Sequence, residues 1–542
     1  MIIFGGGRAK ADFTFGEPVN LGSTLNSPSS DFTDFISTDG LEMYLCSDRS
    51  GGYGGVDIWI SRRSTIDEDW GTPENLGPPV NTSYYDYEAY ISSDCLELYF
   101  VSFQRPGGHG GDDIWVSRRQ SKEAVWGTPV NLGPEVNSST NEWSPSISPN
   151  GLELYFVRRS GGYGSDDIWV SRRATTNDPW GEPVNLGPIV NSSASESMTF
   201  LSSDGLSLFF SEDTGAPIRP GGFGNLDGWL TRRASVSDPW GTPMNLGPIV
   251  NTSSLDCGPR PSPDGSMLYF CSERPGGYGG AWGDIYQSPI IPLIDLNADG
   301  IVNSGDMCVM VNHWGENYSL CDIGPTPLGD GIVDVDDLVV LSEHLFEKVD
   351  DPTLVAHWPL DEAEGTIAYD SAGVKDAVIV GGATWQPSGG QIDGALELDG
   401  VDGCAITNPV LNPADGPFSI IAWVNGGAPG QVIVSQQGAA NWLTTDADGK
   451  LMTELKGAGR STGPLFSETV ITDGNWHRIG LVWDGSNRTL YVDGVAVAED
   501  TQFGLDGSIV GLYIGVDKNY AAGTFFSGLI DDVRIYNRIV SP

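Results

Sequence analysis

WGTPVNLGPEVNSSTNEWSPSISPNGLELYFVRRSGGYGSDDIWVSRR, residues 126–173, is one copy of a phrase that the chain repeats. Its opening words recur at Phe15, Trp70, Trp180 and Trp240, so five copies follow one another roughly every 55 residues. Apolar residues alternate in LELYFV (152–157) and again in DIWVSRR (167–173). Alternation at period two, bounded by Gly, Pro, Asn and Asp, predicts β-strands joined by tight turns. About four strands fit into each copy, which is the content of one propeller blade. Five blades close a ring and leave no sheet edge exposed. The fifth copy stops at DIYQSPI (284–290) with no further WGxP phrase, so residues 11–19 are expected to supply its outer strand.

The chain as a whole is too long for one core. It has 542 residues, with 73 Gly and 35 Pro, the mark of many turns and short strands. Its 72 acidic residues against 28 basic leave a net charge of -44. Such a surface repels nucleic acid and anionic membranes, and suits divalent cations or saline surroundings. Seven Cys without a CxxC pair make neither a disulfide scaffold nor a zinc site. Cys46 and Cys271 hold the same strand position in copies one and five, as small buried side chains. No apolar run approaches the ~20 residues of a membrane span. The N-terminus, MIIFGGGRAKADF, lacks the apolar region of a signal peptide.

Two rings of residues emerge when the copies are aligned. An acid stands five residues after an Asn in each: Asp31, Asp86, Glu142, Glu196 and Asp256. Each copy also carries Arg-x-Gly-Gly-ring-Gly, with Arg49, Arg105, Arg159, Arg219 and Arg274. The ring residues are Tyr53, His109, Tyr163, Phe223 and Tyr278. One reading makes these arginines and rings five ligand-binding sites, the rings stacking on sugar faces and the arginines bonding hydroxyls. The other makes acid and Arg an ion pair inside each blade, with the ring wedged between blades. Asp57, Asp113, Asp167, Asp227 and Asp284 are expected to bond backbone amides in the glycine turns. SPDGSMLYF (262–270) followed by DIY resembles the WD-repeat-like propellers typified by the Tol-associated periplasmic protein. That resemblance covers about half the chain and implies a fold and a binding habit, with no activity attached.

DLNADGIVNSGD, residues 295–306, has the spacing of an EF-hand loop. Asp295, Asn297 and Asp299 take positions 1, 3 and 5, and Gly300 makes the turn. The Ile301 carbonyl takes position 7, and Asn303 and Asp306 take positions 9 and 12. Oxygen ligands in this order wrap one hard cation, and Ca²⁺ is the expected guest. Asp rather than Glu at position 12, and one following helix (304–314), make the segment resemble a dockerin module. Dockerins carry two loops, and CDIGPTPLGDGIVDVDDL (321–338) is the second. Counting back from Gly331 puts Leu328 at a ligand position, where it cannot serve. An insertion resolves this: Asp322 is the first ligand, a Pro-rich excursion follows, and Asp330, Ile332, Asp334 and Asp337 complete the set. A helix over 335–346 follows. Cys308 and Cys321 flank the link and are placed to form a disulfide in an exported protein. Docking to a cohesin-like protein and service as a calcium-stiffened spacer stand as equal readings.

The last stretch reads VAHWPLDE (355–362), GALELDGVDGCA (394–405), FSIIAWV (418–424), GNWHRIGLVWDGSNRTLYVDGVAV (474–497) and FSGLIDDVRIYNRIVS (526–541). These alternating segments broken by DG and GN turns resemble the laminin-G-like, concanavalin-type jelly roll. The resemblance implies binding of glycans or proteins beside a rim Ca²⁺, with Asp361, Asp370, Asp531 and Asp532 as its carboxylates. Asp531 and Asp532 as residues that merely close a turn is the competing reading.

The expected architecture is mainly β. A five-bladed propeller spans 11–289, a dockerin-like calcium module 294–347 and a jelly roll 354–542. No HExxH, nucleophile elbow, P-loop or dinucleotide fingerprint is present. Glu88 and Asp34 are the acids that break the five-fold pattern, and nothing in the sequence asks for catalysis. The expected function is non-catalytic polysaccharide binding by a calcium-binding protein outside the cell or at its surface. A glycoside hydrolase or lyase with its site in the propeller mouth, and an assembly scaffold, are the alternatives.

Overall fold

The computed structural model describes residues 13–540 apart from 214–218, 220–221, 280–282, 298–299, 317, 319–320, 350, 352, 458–462, 486 and 503. It is built mainly from β-strands and divides into two compact units. One comprises Met1–Leu293 with Asn312–Glu343, and the other Ile294–Val311 with His344–Pro542. The loop 295–306 thus falls in the C-terminal unit and the loop 321–338 in the repeat unit.

In the repeat unit, each copy folds into an antiparallel sheet of one design. The first has the strands Asp31–Ile36, Glu42–Ser47, Asp57–Arg62 and the two-residue Glu74–Asn75. The short last strand is the PVN of the repeated phrase; in later copies it is Val130–Asn131, Val184–Asn185 and Met244–Asn245. The fifth sheet takes its short strand from the N-terminus: Val19 pairs with Gln287 and Asn20 with Tyr286. Phe13–Phe15 pairs beyond it, Phe13 against Pro292. The outer strand expected from residues 11–19 is therefore present; residues 11–12 lie outside the described residues. The strand Asp284–Pro292 runs past the expected end of the repeats at residue 289.

The opening strands of the five sheets, Asp31–Ile36, Tyr85–Ile91, Glu142–Ile147, Ser195–Leu201 and Asp256–Pro261, touch in chain order, and the fifth touches the first. Aromatic side chains fill the centre between them. The Phe35 and Tyr90 rings lie 4.7 Å apart, and Tyr90 and Phe200 lie 5.5 Å apart. The Pro-rich excursion of the second loop covers the C-terminal ends of these strands. Leu328, 8% exposed, joins the apolar core, and its carbonyl accepts a 2.6 Å hydrogen bond from Arg232. Thr326 and Leu328 border a cavity of about 200 Å³ there.

The C-terminal unit contains two eight-stranded antiparallel sheets. In one, Phe418–Gly426 lies between Trp476–Trp483 and Ser527–Tyr536. Its inward residues, among them Phe418, Ile420, Ala422 and Val424, are buried with Trp358 and Trp442. The alternation legible in FSIIAWV is the inward and outward pleat of this central strand.

Candidate functional site

The acid ring and most of the arginine ring form one internal clamp, repeated around the repeat unit. Arg105 pairs with Asp86 at 3.4 Å, Arg219 with Glu196 at 3.2 Å and Arg274 with Asp256 at 2.9 Å. Arg49 pairs with Asp31. The same guanidinium groups bond the carbonyls of Leu25, Val80, Val190 and Val250 and lie over Trp59, Trp115, Trp229 and Tyr286. All five acids are fully buried or nearly so. In the third copy the clamp belongs to Arg158, 2.9 Å from Glu142. Arg158 stands directly opposite Glu142 in the strand register. Arg159, which the glycine motif singled out, instead pairs with Asp166 near the surface. These arginines serve the fold, not solvent.

The ring residues behave differently. Tyr53, Tyr163, Tyr278 and Phe223 are between 39% and 55% exposed, and His109 is exposed as well. They are not wedged between sheets. What fixes their turns is the neighbouring Asp: the amides of His109, Tyr163, Phe223 and Tyr278 donate to Asp113, Asp167, Asp227 and Asp284 at 2.6–2.8 Å. The Tyr53 amide donates to Asp57 in the same way. Glycine is required beside them. A Cβ on Gly110 would meet the Thr140 carbonyl, and one on Gly164 the Ala194 carbonyl.

The opening strands also carry a β-bulge each, two residues past the clamp acid. At the bulge Glu88, Ser144, Met198 and Gly258 all adopt positive φ. Here the copies stop resembling one another. The three residues read TDF (33–35), EAY (88–90), SPS (144–146), MTF (198–200) and GPR (258–260).

The bulges bring Asp34, Glu88 and Arg260 to the floor of a cavity of about 510 Å³ at the N-terminal ends of the opening strands. Its walls are aromatic, from Phe32, Tyr85, Tyr87 and Phe103. Asp34 is 4% exposed and accepts a 3.3 Å bond from the Cys46 thiol; its Oδ2 has no hydrogen-bond partner. Desolvation pushes the Asp34 carboxyl up to about 7, against the Ala89 amide and the Cys46 thiol, which favour the ionised form. Glu88 is half-buried and accepts from the Ser144 amide at 2.6 Å and from the Ser144 hydroxyl at 3.3 Å. Desolvation lifts it to about 7 as well. Arg260, in the next strand position, donates to the carbonyls of Asp34 at 3.0 Å and Met198 at 2.7 Å. Chemically the floor offers two weak acids near neutrality in an aromatic-walled space.

The loops 295–306 and 321–338 share one pattern of bonds. Asp306 accepts the amides of Leu296, Asn297 and Asn303 at 2.7–3.1 Å. Asp337 accepts those of Ile323, Gly324 and Asp334 at 2.6–2.8 Å. Asp295 accepts the Gly300 amide, and Asp322 the amides of Asp330 and Gly331, each at 2.8 Å. Asp322 thus stands where Asp295 stands, and the excursion 325–329 is an insertion between equivalent positions. Burial raises the Asp322 carboxyl to about 6. Asn303 turns its amide to the Ile301 carbonyl at 2.9 Å, and Asp330 accepts the Ile332 amide at 3.2 Å. Asp299 lies outside the described residues. Among the described residues no three acidic, His or Cys side chains stand close enough to hold a metal. The donors are all oxygen, the chemistry of a hard cation, while the carboxylates at the first and last positions are turned onto loop amides. The helices that follow are Ser304–Asn312 and Val335–Glu343. Cys308 is exposed and Cys321 buried, and no disulfide joins them in the structure.

Of the carboxylates singled out in the C-terminal unit, Asp361, Asp531 and Asp532 act on one another electrostatically, and Asp370 and Asp532 both contact His357. Asp370 accepts the amides of His357, Ala372 and Lys375 at 2.9–3.0 Å and shapes a turn. Asp532 pairs with His357 at 2.7 Å and Arg534 at 2.9 Å. Asp531 accepts the amides of Gln391 and Ile392, and Asp361 that of Gly394, at 2.7–2.8 Å. Burial lifts Asp531 to about 7. Asp531 and Asp532 lie inside the strand Ser527–Tyr536 at a break in register, not in a turn.

Sequence reasoning set Asp34 and Glu88 aside and did not single out Arg260. The usable signal was divergence: in otherwise matching copies, these three positions follow no shared pattern.

No curated protein matches the chain at a significant level. Among solved structures, the chain is similar to Trypanosoma rangeli sialidase in complex with the inhibitor DANA. The identity is 14% and the TM-score 0.37, over 100% of this chain and 98% of that one. It is also similar to domain 4 of an extracellular arabinanase from Geobacillus stearothermophilus in complex with arabinotriose. There the identity is 19% and the TM-score 0.26, over 35% of this chain and 95% of that domain. Both likenesses are remote in sequence and in superposition. The family model described as the Concanavalin A-like lectin/glucanases superfamily matches residues 398–542, wholly within the C-terminal unit.

Proposed function

We propose that the chain is a carbohydrate-binding protein of the cell surface or the extracellular space. Its five sheets are the blades of a five-bladed propeller, and its paired loops take Ca²⁺. The observation that carries this reading is the cavity of about 510 Å³, walled by aromatic rings and floored by carboxylic acids. Aromatic faces pack on the apolar faces of sugar rings, and carboxyl groups bond the hydroxyls around them. The lectin-type family match of the C-terminal unit supports a second glycan-binding surface. Oxygen-only donors at EF-hand spacing support Ca²⁺, held by Asp295, Asn297, Ile301, Asn303 and Asp306 in one loop. In the other, Asp322, Asp330, Ile332, Asp334 and Asp337 would hold it. No helix among the described residues is long and apolar enough to cross a membrane.

A glycan array probed with and without EDTA tests this reading. Binding to defined polysaccharides, weakened by EDTA, is the expected result; an array without signal would sink it. A second reading, glycoside hydrolysis, is favoured by the two acids near neutrality in one cavity. Release of reducing ends by the native chain, lost in Glu88→Gln, would replace the first reading with the second.

A further inference from the structure

The cavity at the bulges holds more acid than its surroundings neutralise. Asp34, Glu88 and Asp112 line it, against one cation, Arg260. Among the described residues neither Asp34 nor Glu88 has an ion-pair partner within 4.0 Å. Arg260 attracts both acids, but from beyond ion-pair distance. It donates to the carbonyls of Asp34 and Met198, reaches the Pro259 carbonyl at 3.3 Å, and its guanidinium lies 5.3 Å from the Phe200 ring centre. The Oδ2 of Asp34 is left without any hydrogen-bond partner although the residue is almost wholly buried. A buried carboxyl in that position either keeps its proton or takes a cation from outside.

The walls favour the cation. The π-faces of Phe32, Tyr85, Tyr87 and Phe103 carry negative potential, and a cation among them gains attraction that grows as water leaves. Tyr85 is 49% exposed at the rim and meets Phe103 edge to face, with centroids 6.2 Å apart. Tyr87 is held in place by its hydroxyl, which donates to Asp112 at 2.7 Å. The chain as a whole carries -44, a field that draws cations toward the surface. The volume lies within the ~300–1,000 Å³ of small-molecule sites.

We propose that this cavity takes an amino sugar with a free ammonium group, the ammonium seated on Asp34 and Glu88 and the sugar ring against Tyr85 and Phe103. The proposal rests on the carbohydrate-binding reading and narrows it to a charged class. Seating an ammonium on these acids ionises them, so binding drives protons into the buffer. The groups facing Asp34 that bear on this are Glu88, Arg260 and the thiols of Cys46 and Cys271. Tyr87 and Asp112 bear on Glu88 in the same way.

The test is calorimetric titration of the full chain near about pH 6.5 and roughly 0.15 M salt, which screens the surface charge. The probes are a glucosamine trisaccharide, its fully N-acetylated counterpart and a neutral glucose trisaccharide. Each is titrated in two buffers of different ionisation enthalpy. The expected result is about tenfold or tighter binding of the glucosamine probe, with proton release, and loss of that preference in Asp34→Asn and in Glu88→Gln. Having two variants guards against one that does not fold, and their melting temperatures report this. Equal affinity for the three probes without proton release overturns the proposal and leaves the carbohydrate reading standing. A preference for glucosamine that survives in both folded variants also overturns it, because the ammonium then sits elsewhere. An array with no glycan signal removes the reading beneath it.

Discussion

Two stretches of the same five strands obey opposite rules. At the start of each opening strand stands a buried acid clamped by an arginine, and every copy solves that position the same way. Two residues later the bulge begins, and no two copies agree: TDF, EAY, SPS, MTF and GPR. The clamp is closed within its own sheet, since acid, guanidinium, backbone carbonyl and aromatic face satisfy one another. The bulge residues are not closed in this way, and at Asp34 a buried oxygen is left without a partner. Repetition in this molecule marks what the fold needs for itself. Divergence at one structural position marks where the fold is indifferent and other demands apply.

The contrast can be broken at either end. Asp256→Ala should do the most damage, because it strands the Arg274 guanidinium in a mostly buried place. A loss of roughly 3–5 kcal/mol is expected for the broken pair, measured by urea unfolding. A loss under about 1 kcal/mol would show the clamp to be dispensable. Asp34→Asn should act in the opposite sense and with pH. The folded carboxyl sits near 7, above its ordinary 3.8. It is protonated in both states at low pH. As pH rises from about 4 to about 7 the unfolded chain releases its proton first, and the native state loses stability. The Asn variant lacks that slope, so above pH 7 it should exceed the native chain by an amount on the order of a few kcal/mol. Melting curves from pH 4 to 8 read this directly, and parallel profiles for the two proteins would refute the burial argument. Tyr163→Ala should do least, within about 0.5 kcal/mol, since its ring stands in solvent. A larger destabilisation would mean that the exposed rings belong with the clamps.

Much of this was legible in the sequence, for identifiable reasons. The strands, the short PVN strand and the N-terminal completion follow from period-two alternation and the missing phrase after residue 290. The turn acids follow from Asx chemistry. Arg159 was misread because a glycine motif fixes the turn and not the strand length. The residue opposite the acid is Ser47, Ser102, Glu212 or Ser272 in the other copies, and in the third it is Arg158, so there the guanidinium comes from the strand itself. Of the two readings of the rings, the one that wedged them between sheets fails, because the turns that carry them project into solvent. The cavity was illegible for a deeper reason. A bulge shifts the inward and outward assignment of every later residue by one, so strict alternation gives no warning that Asp34, Glu88 and Arg260 converge. The excursion at 325–329 was legible as an insertion, but only tertiary packing shows that Leu328 covers the apolar centre.

The pairing of Phe13 with Pro292 sets a timetable for biosynthesis. The partner strand leaves the ribosome about 280 residues after Phe13 does. At ~5–20 residues per second that is a wait of roughly 15–55 s. Throughout it Phe13 and Phe15 have no strand to lie on. The first four sheets can fold as they emerge, whereas the N-terminal strands wait for the last. The nascent chain therefore carries the segment Phe13–Phe15 unpaired for most of the synthesis of its repeats.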